Sequence, residues 1–84
     1  MDASDIRATV IQLIRELGFF LPSDASNTHL FHDVAIDSFS FITLLIRIEE
    51  MFDIAFDITQ MEDCAQLDHL LELIDRKVGE NGHD

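Results

Sequence analysis

The alternation of apolar and polar positions divides the chain into three long helical stretches joined by irregular ones. Ile6, Val10, Leu13, Ile14 and Leu17 recur at the spacing of one helix face, with Arg7, Arg15 and Glu16 on the wet side. Asp2 or Ser4 is placed to cap this helix and Gly18 to stop it. A second pattern starts at Asp37-Ser38-Phe39 and runs through Phe41, Ile42, Leu44, Leu45, Ile46, Ile48, Met51 and Phe52 without a Gly or Pro. Its polar members are few, and Ser40, Thr43, Arg47 and Glu50 fall on one narrow stripe. On a helical wheel Phe41, Leu44, Leu45, Ile48 and Phe52 share one side and belong in a core. Phe39, Ile42 and Ile46 share an adjoining side that a small bundle leaves partly exposed. Ser38 therefore reads as a hydroxyl at the start of an oily helix, either its N-cap or a point of attachment for an anion-bearing group.

Between the two helices, residues 18–36 show no helical period, and Pro22-Ser23-Asp24 and Ser26-Asn27-Thr28 read as turns. So long a connection must be pinned, and Phe19, Phe20, Leu21, Leu30, Phe31, Val34 and Ile36 are the expected anchors. After Phe52, Ile54, Phe56 and Ile58 alternate like a strand, but a lone strand in a helical chain has nothing to pair with. Thr59 with Glu62 reads as a capping box opening a short helix that turns Met61, Cys64 and Ala65 inward. The last helix carries Leu67, Leu70, Leu71, Ile74 and Val78 on one face, Asp68 in its first turn and Arg76 and Lys77 in its last, with Gly79 as its stop. The expectation is an all-α fold: a small four-helix bundle of three long helices and one short, with a long first loop, a domain over residues 1–79 and a flexible tail over 80–84.

Charge and cysteine content narrow the setting. Five basic and seventeen acidic residues give a net charge of −12, which repels nucleic acid and steers in basic protein partners. The acidity is concentrated in residues 53–84, with nine acids against Arg76 and Lys77, whereas residues 37–52 hold Asp37, Glu49 and Glu50 against Arg47. No apolar run reaches the ~18 to 20 residues of a membrane span, and the acidic start does not resemble a signal peptide, so a cytoplasmic monomer is expected. The one cysteine, Cys64, leaves the core to packing alone.

No catalytic set assembles. Ser38 lacks a Gly-x-Ser-x-Gly elbow and a placed histidine base. His29, His32 and Asp33 fit a solvated loop better than a metal site, and Cys64 near His69 fits a small core residue better than a nucleophile. Asp53 and Asp57 lack the Gly and the terminal Glu of a calcium loop. What remains is a presented serine, an apolar helix flank and an acidic field, which suits a domain acted upon by enzymes, not an enzyme; a plain acidic interaction module with Ser38 as N-cap is the alternative.

Residues 30–74 resemble an acyl carrier protein of the phosphopantetheine-attachment family. The resemblance rests on Leu30 and Val34, the Asp37-Ser38-Phe39 core, Leu44, Ile48, Glu49, Glu50 and Phe52, and the continuing spacing to Phe56, Leu67 and Ile74. It implies that Ser38 receives 4′-phosphopantetheine from coenzyme A through a magnesium-dependent phosphopantetheinyl transferase. The arm's thiol then carries a thioester between a loading ligase and downstream transferases in a biosynthetic pathway. It further implies that Asp37 meets a basic transferase side chain, and that Phe39, Ile42 and Ile46, with Glu49 and Glu50 for charge, form the docking face. Family members usually have Gly where this chain has Ala35, and many fatty-acid carriers have acids at the positions of Ser40 and Thr43 and a small residue at that of Arg47. Asp-Ser-Phe, the Phe52-Asp53-Ile54 run and Ile58-Thr59 look more like D-alanyl and other stand-alone carriers of aminoacyl or specialised acyl groups. Bulky Phe31 and Met61 are expected to leave little room between the helices for a long acyl chain.

Overall fold

The computed structural model describes residues 2–22 and 28–81. Its order is α1 (Ala3–Glu16), α2 (Ser38–Phe52), a 3₁₀ turn (Ile58–Gln60), α3 (Met61–Cys64) and α4 (Leu67–Asn81), with no strand among the described residues. This is the all-α bundle of three long helices and one short one that the hydrophobic periods predict. α1 packs against both α2 and α4, and α3 packs against α4. Asp2 caps α1 by accepting the Ser4 N–H (3.1 Å), and Gly18 turns the chain away at φ 95°, donating to the Arg15 carbonyl (2.9 Å). A left-handed φ of this kind is available to glycine without strain.

The core is drawn from the predicted faces. Ile6, Val10, Leu13 and Ile14 of α1, all five expected residues of α2, and Leu67, Leu70 and Ile74 of α4 are buried, together with Cys64 and Ala65. Leu73 is buried as well, which the face drawn through Leu71 and Val78 omits; those two are half-buried at its margin.

The long first loop is pinned at Leu30 and Ile36, both buried, with Phe19, Leu21, Phe31 and Val34 packed on the core at its edge. Phe20 is the exception. It is 79% exposed, because its neighbours Phe19 and Leu21 take the inward positions. Two backbone bonds across the α3–α4 junction fasten the loop: the Leu30 N–H to the Ala65 carbonyl (2.7 Å) and the Leu67 N–H to the Thr28 carbonyl (2.8 Å). His29 Nδ1 accepts the N–H groups of Phe31 and His32 (both 3.2 Å), and the Asp33 carboxylate accepts the His29 N–H (2.8 Å). These side chains serve the backbone of the turn. The two turns expected around Pro22-Ser23-Asp24 and Ser26-Asn27-Thr28 lie mostly outside the described residues.

Two helix ends differ from the sequence expectation. The turn before α3 opens at Asp57 with Gln60 as its partner, the Gln60 side chain accepting the Asp57 N–H (3.0 Å), and not at Thr59 with Glu62. Starting two residues earlier lets Ile54 bury and Phe56 pack on the core before the chain turns. α4 passes through Gly79 to Asn81, so Gly79 does not stop it. Gly79 keeps helical geometry on the exposed side, at the roughly 1 kcal/mol that glycine costs relative to alanine in a helix.

Candidate functional site

The end of the first loop sets the first turn of α2. The Ile36 N–H donates to the Leu30 carbonyl (3.0 Å), so the buried anchor also sets the position of the chain just before the helix. Ala35 then takes φ 63°, in the left-handed region that favours glycine. The loop takes a glycine-like turn, and an alanine bears the strain. Because a left-handed alanine costs roughly 1 kcal/mol, against ~0.4 to 1 kcal/mol for the extra freedom of an unfolded glycine, Ala35→Gly is expected to be neutral or stabilising by up to about 0.6 kcal/mol. Ala35→Val is expected to be destabilising. Urea unfolding of the two variants checks the sign.

The N-cap of α2 is Asp37, not Ser38. The Asp37 carboxylate accepts the Ser40 N–H (2.7 Å), and its carbonyl accepts the Phe41 N–H (2.9 Å). The bond from the Ser40 N–H, the largest cause, holds the Asp37 carboxyl below its ordinary value of 3.8. A depressed carboxyl contributes fully at neutral pH, and the contribution is lost as pH falls through the lowered value. With Asp37 as cap, Ser38 becomes the first residue of the helix and is exposed. Its hydroxyl is not used for capping.

Phe39 is 81% exposed, Ile42 47% and Ile46 49%, so the adjoining apolar side of α2 faces outward as its pattern predicts. Thr43 turns its hydroxyl back to the Phe39 carbonyl (3.0 Å). Glu50 is exposed. Glu49 is half-buried and bonded: its carboxylate accepts the Phe56 N–H (2.9 Å), tying the segment after α2 back to the helix. Two further apolar side chains are exposed that sequence reasoning did not place, Met51 (58%) on α2 and Ile58 (84%) on the 3₁₀ turn. The alternation of Ile54, Phe56 and Ile58 held the signal for the second, since the first two pack inward and the third has no inward place left.

Cys64 is fully buried, and burial, aided by Asp63, pushes its thiol up to about 11. It is a core residue and unreactive as a nucleophile.

The bundle thus exposes a serine at the positive end of a helix, with oily side chains beside it. The family model described as phosphopantetheine attachment site matches residues 8–74, and the chain belongs to that family. A comparison with curated proteins gives no match. The family carries a covalently attached 4′-phosphopantetheine, and the residues present fit it: an exposed hydroxyl, and a helix N-terminus that favours the charge of a phosphodiester. No described helix is long and apolar enough to cross a membrane.

Proposed function

We propose that this protein carries acyl or aminoacyl groups on a 4′-phosphopantetheine arm attached to Ser38. The observation that supports it most is the exposure of Ser38 at the first position of α2 with Asp37 relieving it of the capping role. In the attachment step the Ser38 oxygen bonds to the phosphorus that bears the pantetheine in coenzyme A. The pyrophosphate bond breaks, adenosine 3′,5′-bisphosphate leaves, and the serine proton passes to a base of the transferase. The arm supplies a thiol that holds its cargo as a thioester. Ser38 itself does nothing more than anchor it, and the chain is not an enzyme on this reading.

Phe39, Ile42 and Ile46 supply the apolar docking surface for the phosphopantetheinyl transferase, the loading ligase and the downstream transferases. Asp37 and Glu50 supply charge, while Glu49 contributes by holding the loop after α2. The net charge of −12 draws in partners that are basic overall. The setting is cytoplasmic and the protein a monomer. The Phe31 and Phe41 rings meet tilted, with centroids 4.9 Å apart, and Met61 packs on the core, which favours a short cargo left outside the bundle.

The native chain offers its own reporter. Its single thiol, Cys64, is buried and protonated at neutral pH, so a thiol reagent reacts slowly with the folded protein. After incubation with coenzyme A and a broad-specificity transferase, one fast-reacting thiol per chain is expected. Unchanged thiol kinetics, beside a control carrier that gains its thiol, contradict the proposal.

A further inference from the structure

The turn that fastens the first loop is held by a histidine used as an acceptor. His29 Nδ1 receives the N–H groups of Phe31 and His32, both at 3.2 Å. A neutral imidazole with its proton on Nε2 has a lone pair to offer there, whereas a charged ring turns an N–H towards two N–H groups. The same turn sets the start of α2. The His29 carbonyl accepts the Asp33 N–H (2.8 Å), and the next residue, Leu30, bonds to the Ala65 carbonyl through its N–H (2.7 Å) and to the Ile36 N–H through its own carbonyl (3.0 Å). Ile36 leads directly into Asp37, the cap, and Ser38.

The groups around the ring act in both directions. On its own turn the His32 ring lies against it, centroids 4.3 Å apart, and opposes a second charge, while the Asp33 carboxylate, which accepts the His29 N–H (2.8 Å), favours one. Opposite, His29 pairs with Gln66 at the α3–α4 junction. The titratable groups of that junction are Glu62, Asp63 and Asp68, which favour a charged ring, His69, which opposes it once charged itself, and Cys64, buried as a neutral thiol. α2 meets the turn through apolar Phe41, against Phe31. Asp33, Glu62 and Asp63 are exposed and Asp68 half-buried, so water screens their pull, whereas the lost acceptor acts at bonding distance. The bonds to Nδ1 therefore decide the sign. They are present with the ring neutral and lost as pH falls through ~8 to 5, where histidine takes up its proton. An unfolded chain takes up that proton without losing a bond, so the turn weakens towards acid.

We infer that His29 is a proton-sensitive positioning residue: neutral, it holds the loop that sets the first turn of α2, and protonated, it loosens that loop and slows the modification of Ser38. The effect on Ser38 rests on the carrier reading above; the effect on the loop does not.

The test compares the native chain with His29→Asn, whose side-chain oxygen stands where Nδ1 does and accepts at any pH, and with His32→Asn, which removes the neighbouring ring and keeps the acceptor. All are checked for fold by circular dichroism. Hydrogen exchange is read as protection relative to the free peptide, so the intrinsic pH dependence cancels. From about pH 7.5 to about pH 5.5, protection of the Phe31, His32 and Ile36 N–H groups is expected to fall roughly 10-fold in the native chain and in His32→Asn, and less than about 2-fold in His29→Asn. Over the same range the kcat/KM of an active phosphopantetheinyl transferase for the native chain, divided by that for His29→Asn, is expected to fall roughly 3-fold. The ratio removes the transferase's own pH dependence. Imidazole nitrogen chemical shifts of the native chain at the upper pH should show His29 protonated on Nε2 and bare on Nδ1. A proton on Nδ1 at that pH, an equal loss of protection in the native and His29→Asn chains, or a loss that His32→Asn abolishes, overturns the inference. A rate ratio that does not change with pH overturns its link to Ser38. A native chain that is not modified at any pH, beside a modified control carrier, overturns the carrier reading itself, and the exchange result then decides the loop device by itself.

Discussion

Ser38→Ala is expected to abolish attachment completely while leaving the fold intact. Intact mass and thiol titration should show no gain under conditions that modify the native chain fully, and thermal unfolding should be unchanged within about 0.5 kcal/mol. Both halves follow from the capping arrangement. The Asp37 carboxylate satisfies the Ser40 N–H, so removing the Ser38 hydroxyl orphans no backbone donor. Alanine at the first helical turn is also a good helix former. A substantial loss of stability would mean that the serine was holding the helix start after all, as the interaction-module alternative requires.

Leu30→Ala is expected to have the largest structural effect of any single change in the loop. Leu30 is fully buried, and its backbone bonds both ways, to the Ala65 carbonyl and from the Ile36 N–H. Truncating such a side chain costs roughly 2 to 5 kcal/mol, a large share of the ~5 to 15 kcal/mol available to a domain. In a chain of this size that is a fall in melting temperature of roughly 10 to 30 °C. Hydrogen exchange should show protection lost first at Ile36 and in the first turn of α2, because the anchor positions both. Phe20→Ala, at an exposed neighbour in the same loop, should shift stability by no more than about 0.5 kcal/mol. Equal effects at the two sites would contradict the assignment of Leu30 as the anchor.

The elements that were legible in the sequence are those that depend on period. The faces of α1, α2 and α4 repeat apolar residues at helical spacing over several turns, and burial follows them closely. The division of α2 into a buried and an outward apolar side was equally readable, since fifteen residues fix a wheel unambiguously. The errors lie where local rules are degenerate. Asp37 and Ser38 are adjacent and both are preferred caps, so propensity alone does not choose between them. Asp57 with Gln60 and Thr59 with Glu62 both satisfy the spacing of a capping box, and the burial of Ile54 and the packing of Phe56 decide for the first. Glycine near a helix end is a frequent stop and not an obligatory one, hence Gly79. Phe20 is a reminder that apolar residues in a loop compete for few inward places. The bond from the Phe56 N–H to Glu49 spans seven residues across a turn, and the Arg47 contact with Glu16 joins two helices. Neither has a signature in the order of residues.

The most direct measurement is intact mass spectrometry of the native protein after incubation with coenzyme A, magnesium and an active transferase, followed by fragmentation. A gain of one phosphopantetheinyl group, located on the peptide containing Asp37-Ser38-Phe39 and released from Ser38, is the predicted result. No gain while a control carrier is modified, or a gain on any other residue, would contradict it.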